Sequence, residues 1–462
     1  MSFLTNLTGK SLFVVGIKGT LMAPLVCRLA QLGLSIEGSD TSENFATEEL
    51  LQKALIKWQA SFDKDLIPPE CSLLIYSAAY QANEQVQEAA RRNIEHYSHP
   101  EFIAKISQEI ASYGVAGTHG KTTAVGALEW LLRPMHLEPL FIYGSHLQGE
   151  YTLEAPLEPN MCFIEACEYR EHFLLYTLQG ALLTTIDWDH PDYYDSKEAS
   201  LTAFKAFVER LPLGAPLVCE GDSTGNRRLL SWVRRSRGDL KVLSYGVGEA
   251  NDYRLTLMEG QRYKVTNLRG EFTSPFSSTA LTLNVIGSAL LVSLILNDRS
   301  QLGPLLKRAE SFKGCQGRLE PLFEEGEILY INDYAHHPSE IRVSLETLRS
   351  SYPGRRIVVI FYPHTVSRTQ AFFTQFVEEL SRCDLLILRP IASSARADDK
   401  GALVLGKKLA TALKAPLTQT REATIEYSAR ALRGGDLCVT MGAGNNYKLA
   451  QAIAHYRRSR SE

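Results

Sequence analysis

No run of this 462-residue chain approaches the ~20 consecutive apolar residues a membrane-spanning helix needs. The longest apolar stretch, Ser288–Leu296, is about half that and reads as part of a buried helix, so no membrane span is expected. Met1–Lys10 is too short and too polar to read as a secretory leader. Cysteine is sparse and scattered: eight residues, no Cys-x-x-Cys pair, Cys162 and Cys167 the nearest two. That excludes a disulfide framework and a zinc-ribbon site, and it fits free thiols in a reducing, cytoplasmic setting. Neither sign of charge dominates. Lys and Arg number 49 against 52 Asp and Glu, a net charge of −3, so the whole-chain basic footprint of a nucleic-acid binder is missing. The basic tail Arg457–Glu462 reads as a solvated end. No repeat at solenoid periods is present. With 45% hydrophobic and 22% charged residues, the chain is neither disordered nor low in complexity.

What is present is alternation of short apolar runs with helical spacing. At ~150 residues per domain the length suits about three domains. Ser11–Gly16 is an apolar run ending in glycine, Leu21–Leu32 has helical spacing, and Leu34–Glu37 leads into Gly38–Asp40. With Leu73–Ser77 as a strand and Asn83–Arg92 as a helix, residues 1–108 predict an open, Rossmann-like α/β domain. Tyr113–Leu132 predicts strand, loop and helix. Strands are expected at Met161–Glu165, Ala181–Ile186 and Pro216–Glu220, with helices at Ser200–Leu211 and Leu281–Leu296. Val242–Thr273 alternates and suggests antiparallel strands. Residues 109–315 thus form a central α/β domain of the mononucleotide-binding type. Phe312–Gly317, with two glycines in six residues, marks the next boundary. Residues 316–462 alternate strands and helices again, including a helix over Thr369–Cys383, and predict a second doubly wound sheet.

The sharpest local signal is Gly117-Thr118-His119-Gly120-Lys121-Thr122-Thr123, between an apolar strand and a helix. Glycines let backbone N–H groups turn inward around phosphate oxygens, and the helix start adds its positive end. Lys121 would reach the β/γ-phosphates, and the Thr122 hydroxyl would ligate Mg²⁺. The spacing departs from the strict Walker form, which asks for glycine where Val115 stands.

Further groups gather at strand ends, where open α/β sheets bind ligands. Glu165 and Glu168 follow one strand and Asp189-His190 another; by pattern alone Glu168 and Asp189 could equally be surface charges. Arg318 follows the boundary. Asp333-Tyr334-Ala335-His336-His337-Pro338 sits at a strand-to-helix turn, where Asp333 could meet a ribose or anchor a loop. Pro363-His364-Thr365-Val366-Ser367-Arg368 ends another strand, with Arg368 suited to clamp a carboxylate. The turn Gly442–Asn445 reads as structural. At the N-terminus, Gly16-Ile17-Lys18-Gly19-Thr20-Leu21 resembles a dinucleotide fingerprint whose third glycine is Leu21, and Asp40 falls where a ribose-binding acid is expected.

Taken in order, these motifs resemble the Mur ligase family over nearly the whole chain: Gly117–Thr123, Asp189–Tyr193, Asp333–Pro338, Pro363–Thr369, Met441–Gly444 and Gly16–Thr20 with Gly38–Asp40. The resemblance implies three domains: 1–108 binding a UDP-sugar, 109–315 binding ATP, and 316–462 closing over ATP and the amino acid. It implies ATP-dependent amide formation in peptidoglycan precursor synthesis. The lactyl carboxylate of UDP-N-acetylmuramate is phosphorylated, L-alanine attacks the acyl phosphate, and ATP and Mg²⁺ are required.

Carried over by motif, Lys121, Glu165, His190, His336 and Arg368 look catalytic. Gly117, Thr118, His119, Gly120, Lys121, Thr122, Thr123, Asn284, Arg318 and Asp333 look like the ATP site, and Thr122, Glu165 and His190 like metal ligands. Gly16, Lys18, Gly19, Thr20, Asp40 and Ser77 look like the UDP-sugar site; Tyr334, His336, His364 and Arg368 look like the amino-acid pocket. The chain departs from the family pattern at Cys167, Thr185, Gly287, Leu21 and Thr365. Lys205, which some related ligases modify, reads here as a plain surface lysine. A monomer or weak homodimer is expected. The alternatives are a sister ligase that attaches a recycled murein peptide, a nucleotide-binding regulator that has lost catalysis, and a dinucleotide oxidoreductase that would leave Gly117–Thr123 unexplained.

Overall fold

Short apolar runs become buried strands in all three sheets of the computed structural model, which describes residues 3–150, 153–268, 271–392, 399–442 and 444–460. The first sheet holds β1 (Ser11–Val15), β2 (Ser35–Ser39), β3 (Lys57–Gln59), β4 (Leu73–Tyr76) and β5 (Glu95–Ser98). Their order is β3-β2-β1-β4-β5 and every pairing is parallel. β1 is central and buried on both faces, which is why it reads as a continuous apolar run. The edge strands β3 and β5 are polar and partly exposed, and for that reason carry no such run.

The second sheet holds β6 (Ala111–Ala116), β7 (Pro139–Ile142), β8 (Met161–Glu165), β9 (Gly180–Leu183), β10 (Pro216–Glu220), β11 (Lys241–Gly246), β12 (Tyr253–Leu257), β13 (Arg262–Val265) and β14 (Glu271–Thr273). The order is β14-β13-β12-β11-β10-β9-β6-β8-β7. The antiparallel reading of Val242–Thr273 is corrected in part: β11 is a parallel strand beside β10, β12 joins it in parallel, and only the β12-β13-β14 meander is antiparallel. β11 lies between β10 and β12 in the parallel part of the sheet, so it is largely buried, whereas the meander is half solvated and alternates. The apolar helix Thr279–Ile295 packs here with ten of its residues buried. No helix among the described residues is long and apolar enough to cross a membrane.

The third sheet holds β15 (Glu320–Glu325), β16 (Ile328–Asp333), β17 (Ile357–Tyr362), β18 (Leu385–Leu388) and β19 (Leu437–Gly442), in the order β15-β16-β19-β17-β18. Only β15 is antiparallel. Alternate residues of one strand enter different cores: Val359 and Phe361 pack with Ile341 and Leu345, while Val358 and Ile360 pack with Leu449 and Ile453. The single helix expected over Thr369–Cys383 is two, Val366–Ala371 and Phe373–Leu380. They break at Phe372, whose buried ring packs edge-on against Trp188 and His337.

The chain divides into two units. One comprises Met1–Asp187, Lys197–Pro275 and Leu281–Cys315, and so includes the first two sheets. The other comprises Trp188–Ser196, Phe276–Ala280 and Gln316–Glu462. All eight cysteines are free thiols.

Candidate active site

In the first unit, β6 ends at Ala116 and a helix begins at Lys121, with Gly117–Gly120 as the turn between them. Gly117 has φ 138° and Gly120 φ 86°, backbone that side chains resist. Space is short as well: a Cβ on Gly117 would lie 2.1 Å from Thr184 Oγ1, and one on Gly120 2.5 Å from Asn284 Oδ1. The loop is pinned to the end of β9. Thr118 N–H donates to Thr185 O at 2.7 Å, and its hydroxyl joins both the N–H and the C=O of Asp187 at 2.9 Å. Position 185 thus acts through its backbone, which a threonine supplies. His119 forms an isolated bridge with Thr185, Thr123 is buried in the helix, and Asn284 stands over Gly120.

Lys121 folds its ammonium back over this loop, donating to Gly117 O, to Thr118 O at 3.1 Å and to Glu168 Oε2 at 2.8 Å. Burial works against the charge, but Glu168 and its neighbours hold the ammonium above its ordinary pKa, so it stays charged. Glu168 is 2% exposed, which removes the reading of a surface charge. Beside it the Thr122 hydroxyl donates to Glu165 Oε1 at 2.7 Å, and Gly144 N–H donates to Glu165 Oε2 at 2.9 Å. Among the described residues no group of three or more His, Cys, Asp or Glu side chains is placed to share a metal. A hydroxyl and a carboxylate side by side nevertheless suit Mg²⁺, a hard cation that takes few protein oxygens and fills its octahedron with phosphate and water. Cys167, next in the loop, is pushed up to about 12 by burial and the adjoining carboxylates, so it is an inert thiol.

The N-terminal loop reaches the same region. A Cβ on Gly144 would lie 3.5 Å from Thr20 Cγ2 and 3.7 Å from Glu165 Oε2. Gly144 was missed by sequence reasoning; it lies beyond the end of β7, a strand that the same reasoning also missed. Asp40 accepts Lys18 N–H and Thr41 N–H, each at 2.7 Å, and burial raises its pKa. Lys18 is buried, Gly16 donates its N–H to Ser39 O, Gly19 lies one turn before the helix Met22–Gln31, and half-buried Ser77 caps a short turn. That helix is tied to the helix Lys121–Leu132 by a second feature without a sequence signal. Arg28 Nη2 donates to Glu129 Oε2 at 3.1 Å, the Tyr143 hydroxyl donates to the same oxygen at 2.6 Å, and all three side chains are buried. Gly287 lies under Tyr245, whose hydroxyl would be 2.5 Å from a Cβ there, so no asparagine fits that position. Lys205 is half-buried over the Trp232 ring.

The second unit gathers the remaining groups. Arg368 grips Asp189 with two prongs, Nε to Oδ1 at 2.9 Å and Nη2 to Oδ2 at 3.0 Å. Both side chains are buried, so Asp189 is not a surface charge either. The carboxylate that Arg368 was expected to clamp is therefore first of all this one. Burial would raise the Asp189 carboxyl, but Arg368 holds it well below the usual carboxylate range. Asp189 Oδ1 also accepts the N–H of His190, whose φ is 55°. His190 thus belongs with the second unit and Glu165 with the first. Arg368 Nη1 meets His364 Nδ1 at 3.0 Å, and the His336 and His364 rings sit 5.4 Å apart. Burial, with Arg368 close by, lowers His364 to about 4. Burial, outweighing Glu340, lowers His336 to about 3. Both imidazoles are therefore neutral at pH 7. Asp333 Oδ2 accepts the Ser344 hydroxyl at 2.5 Å, and burial pushes its carboxyl up to about 6. Arg318 lies over the Tyr334 ring at 4.8 Å. In the turn Gly442–Asn445, Ala443 lies outside the described residues; Asn445 accepts Lys448 N–H as the cap of the helix Asn446–Arg458.

Known proteins match nearly the whole length of the chain. The family model described as Mur ligase family, catalytic domain, matches residues 13–110. The Mur ligase middle domain matches 115–292, and the Mur ligase, glutamate ligase domain, matches 317–444. The UDP-N-acetylmuramate–L-alanine ligase of Treponema pallidum (strain Nichols) is 34% identical over 98% of this chain and 97% of its own length. That of Borreliella burgdorferi is 31% identical over 95% and 97%. Among solved structures, the UDP-N-acetylmuramate-alanine ligase MurC of Thermotoga maritima superposes with TM-score 0.76 at 20% identity, over 97% of this chain and 99% of that one. A murein peptide ligase of Psychrobacter arcticus gives 0.72 at 18%, over 96% and 99%. At those identities the two structures speak for the three-domain fold alone.

Proposed function

The chain belongs to the Mur ligase family, and on that premise we propose that it joins L-alanine to the lactyl carboxylate of UDP-N-acetylmuramate at the expense of ATP, in peptidoglycan precursor synthesis. The observation that carries the reading is the phosphate loop: charged Lys121 over Gly117–Gly120, with the Thr122–Glu165 oxygen pair beside it.

Oxide is too poor a leaving group for an amine to displace from a carboxylate. A carboxylate oxygen therefore attacks the γ-phosphorus of ATP, the bond from that phosphorus to the bridging oxygen breaks, and ADP leaves. The amine of L-alanine then adds to the acyl phosphate, and the tetrahedral adduct expels inorganic phosphate with loss of a proton. Loop N–H groups offer donors to the phosphoryl oxygens as they pass in line. The Lys121 ammonium, held over the loop by Gly117 O, Thr118 O and Glu168, adds positive charge there and must exchange a carbonyl partner for phosphate to touch it. Thr122 and Glu165 are the residues that would hold Mg²⁺, which when bound offsets phosphate charge. His336 and His364, kept neutral by burial, add no positive charge to repel the alanine ammonium. Imidazoles lowered this far are too weakly basic to take its proton, which passes to solvent before the amine attacks. Tyr334 and Arg368 complete the amino-acid pocket in this reading. Residues 1–108 are assigned to the UDP-sugar, 109–315 to ATP and 316–462 to closing over ATP and the amino acid, and substrates of this kind are those of a cytoplasmic enzyme.

The test is Mg²⁺-dependent phosphate release from ATP with UDP-N-acetylmuramate, with and without L-alanine. Release that needs all three substrates supports the reading. Release with a tripeptide but not with L-alanine would move it to the peptide-recycling ligase, and no release with either would leave a nucleotide-binding protein without this activity.

A further inference from the structure

Lys18 stands in the middle of the Gly16–Thr20 turn, yet its ammonium is used by the chain itself. The residue is 2% exposed. Its Nζ donates to Thr41 O at 2.7 Å, to Glu43 O and to Glu48 Oε1 at 3.2 Å, which employs all three N–H bonds of an ammonium. The Phe45 ring lies 4.9 Å from it. The backbone of the same residue is tied to the same stretch. Lys18 N–H donates to Asp40 Oδ2 at 2.7 Å, and Lys18 C=O accepts the Thr47 hydroxyl. Glu48 Oε1 closes the ring by accepting Phe45 N–H at 3.0 Å.

Residues 41–47 form no helix or strand, and most of them are exposed. The stretch has no core of its own, so its conformation rests on these polar ties. It leaves the C-terminal end of β2, beside the turn that leaves the C-terminal end of β1, and that edge of an open parallel sheet is where ligands sit.

We infer that Lys18 is a positioning residue of the nucleotide-sugar site: its ammonium fixes the loop Asp40–Glu48 as a wall beside the Gly16–Thr20 turn, and it acts through that loop rather than by touching the ligand. The inference rests on the proposed assignment of residues 1–108 to the UDP-sugar.

The test has two arms, both on the full-length protein. In the first, amide hydrogen exchange of the wild type is followed with and without UDP. Protection of residues 16–20 and 41–48 is the expected result. Protection elsewhere, or none, overturns the assignment of the site whatever Lys18 does, and the inference with it. In the second, Lys18→Met keeps the length of the stem and removes the donors. Exchange across residues 41–48 should speed up about tenfold or more in the free protein. The KM for UDP-N-acetylmuramate should rise about tenfold, with kcat and the KM for ATP within about twofold of wild type. Lys18→Arg, which restores a buried cation and donors, should recover part of the loss. If Lys18→Met does not fold, Glu48→Gln is measured instead; it keeps an acceptor, drops the ion pair, and should give the same pattern at smaller size. UDP protection at the expected segments, together with wild-type exchange and wild-type KM in the variant, would overturn the inference alone.

Discussion

Asp189→Asn is the most informative single change in the second unit. It keeps the shape of the side chain and leaves the Arg368 guanidinium buried without its carboxylate. The pair is held by two bonds of 2.9 and 3.0 Å between buried side chains. Breaking a buried pair by removing one partner costs about 3–5 kcal/mol. For a unit of this size, each kcal/mol moves the thermal transition by about 2–4 °C, so the transition of the second unit should fall by roughly 10 °C. Arg368→Met should cost about as much, and the double variant far less than the sum, leaving a coupling of about 3 kcal/mol. Differential scanning calorimetry of the full chain reads all three. The effect must also depend on pH. Arg368 depresses the Asp189 carboxyl, so its stabilisation is complete above the ordinary carboxylate pKa of about 3.9 and is lost as the pH falls further. Asp189→Asn should therefore flatten the acid limb of the stability curve. If Arg368 is instead kept for the carboxylate of the amino acid, Asp189→Asn will shift the transition by no more than about 1 °C and the two single effects will add. Either outcome would refute the reasoning.

Lys121→Ala should lower phosphate release by about 10²–10³-fold or more, as removal of a charge-stabilising donor does, and circular dichroism should show a native spectrum. Thr122→Val removes one of the two oxygens assigned to the metal; a Mg²⁺ titration of activity should shift upward by about tenfold. Asp333 has its carboxyl raised by burial to about 6, so between about pH 4 and 6 the folded state keeps a proton that the unfolded chain has released. Stability should fall as the pH rises through that window, by up to about 3 kcal/mol, and denaturant titrations of Asp333→Asn should not show the fall.

The parallel strands inside the sheets were legible because burial on both faces writes itself as an apolar run; β8, β10 and β17 fall where the runs are. The polar edges β3, β5 and β15 were not, since an edge strand is defined by its pairing and not by its composition. The helix break at Phe372 was hidden for a similar reason. The apolar spacing continues through it, and only the packing of that ring against Trp188 and His337 shows why the axis turns there.

For the site, the sequence by itself determined the parts and their chemistry. Gly117–Thr123 between strand and helix has the composition of a phosphate loop: its glycines permit the positive φ of the turn, and the helix start presents backbone N–H groups. The motif order from Gly16 to Gly444 carried the family as well. The partners were decided by the tertiary structure alone. That Arg368 meets Asp189, that Lys18 is consumed by residues 41–48, that Glu168 holds the Lys121 ammonium, and that Gly144 brings Thr20 beside Glu165 are contacts between segments 20 to 180 residues apart. A charge in a sequence is the same letter in water or in a protein interior. Whether it binds a ligand, a neighbour or the solvent depends on what the fold removes from water around it, and no local pattern records that.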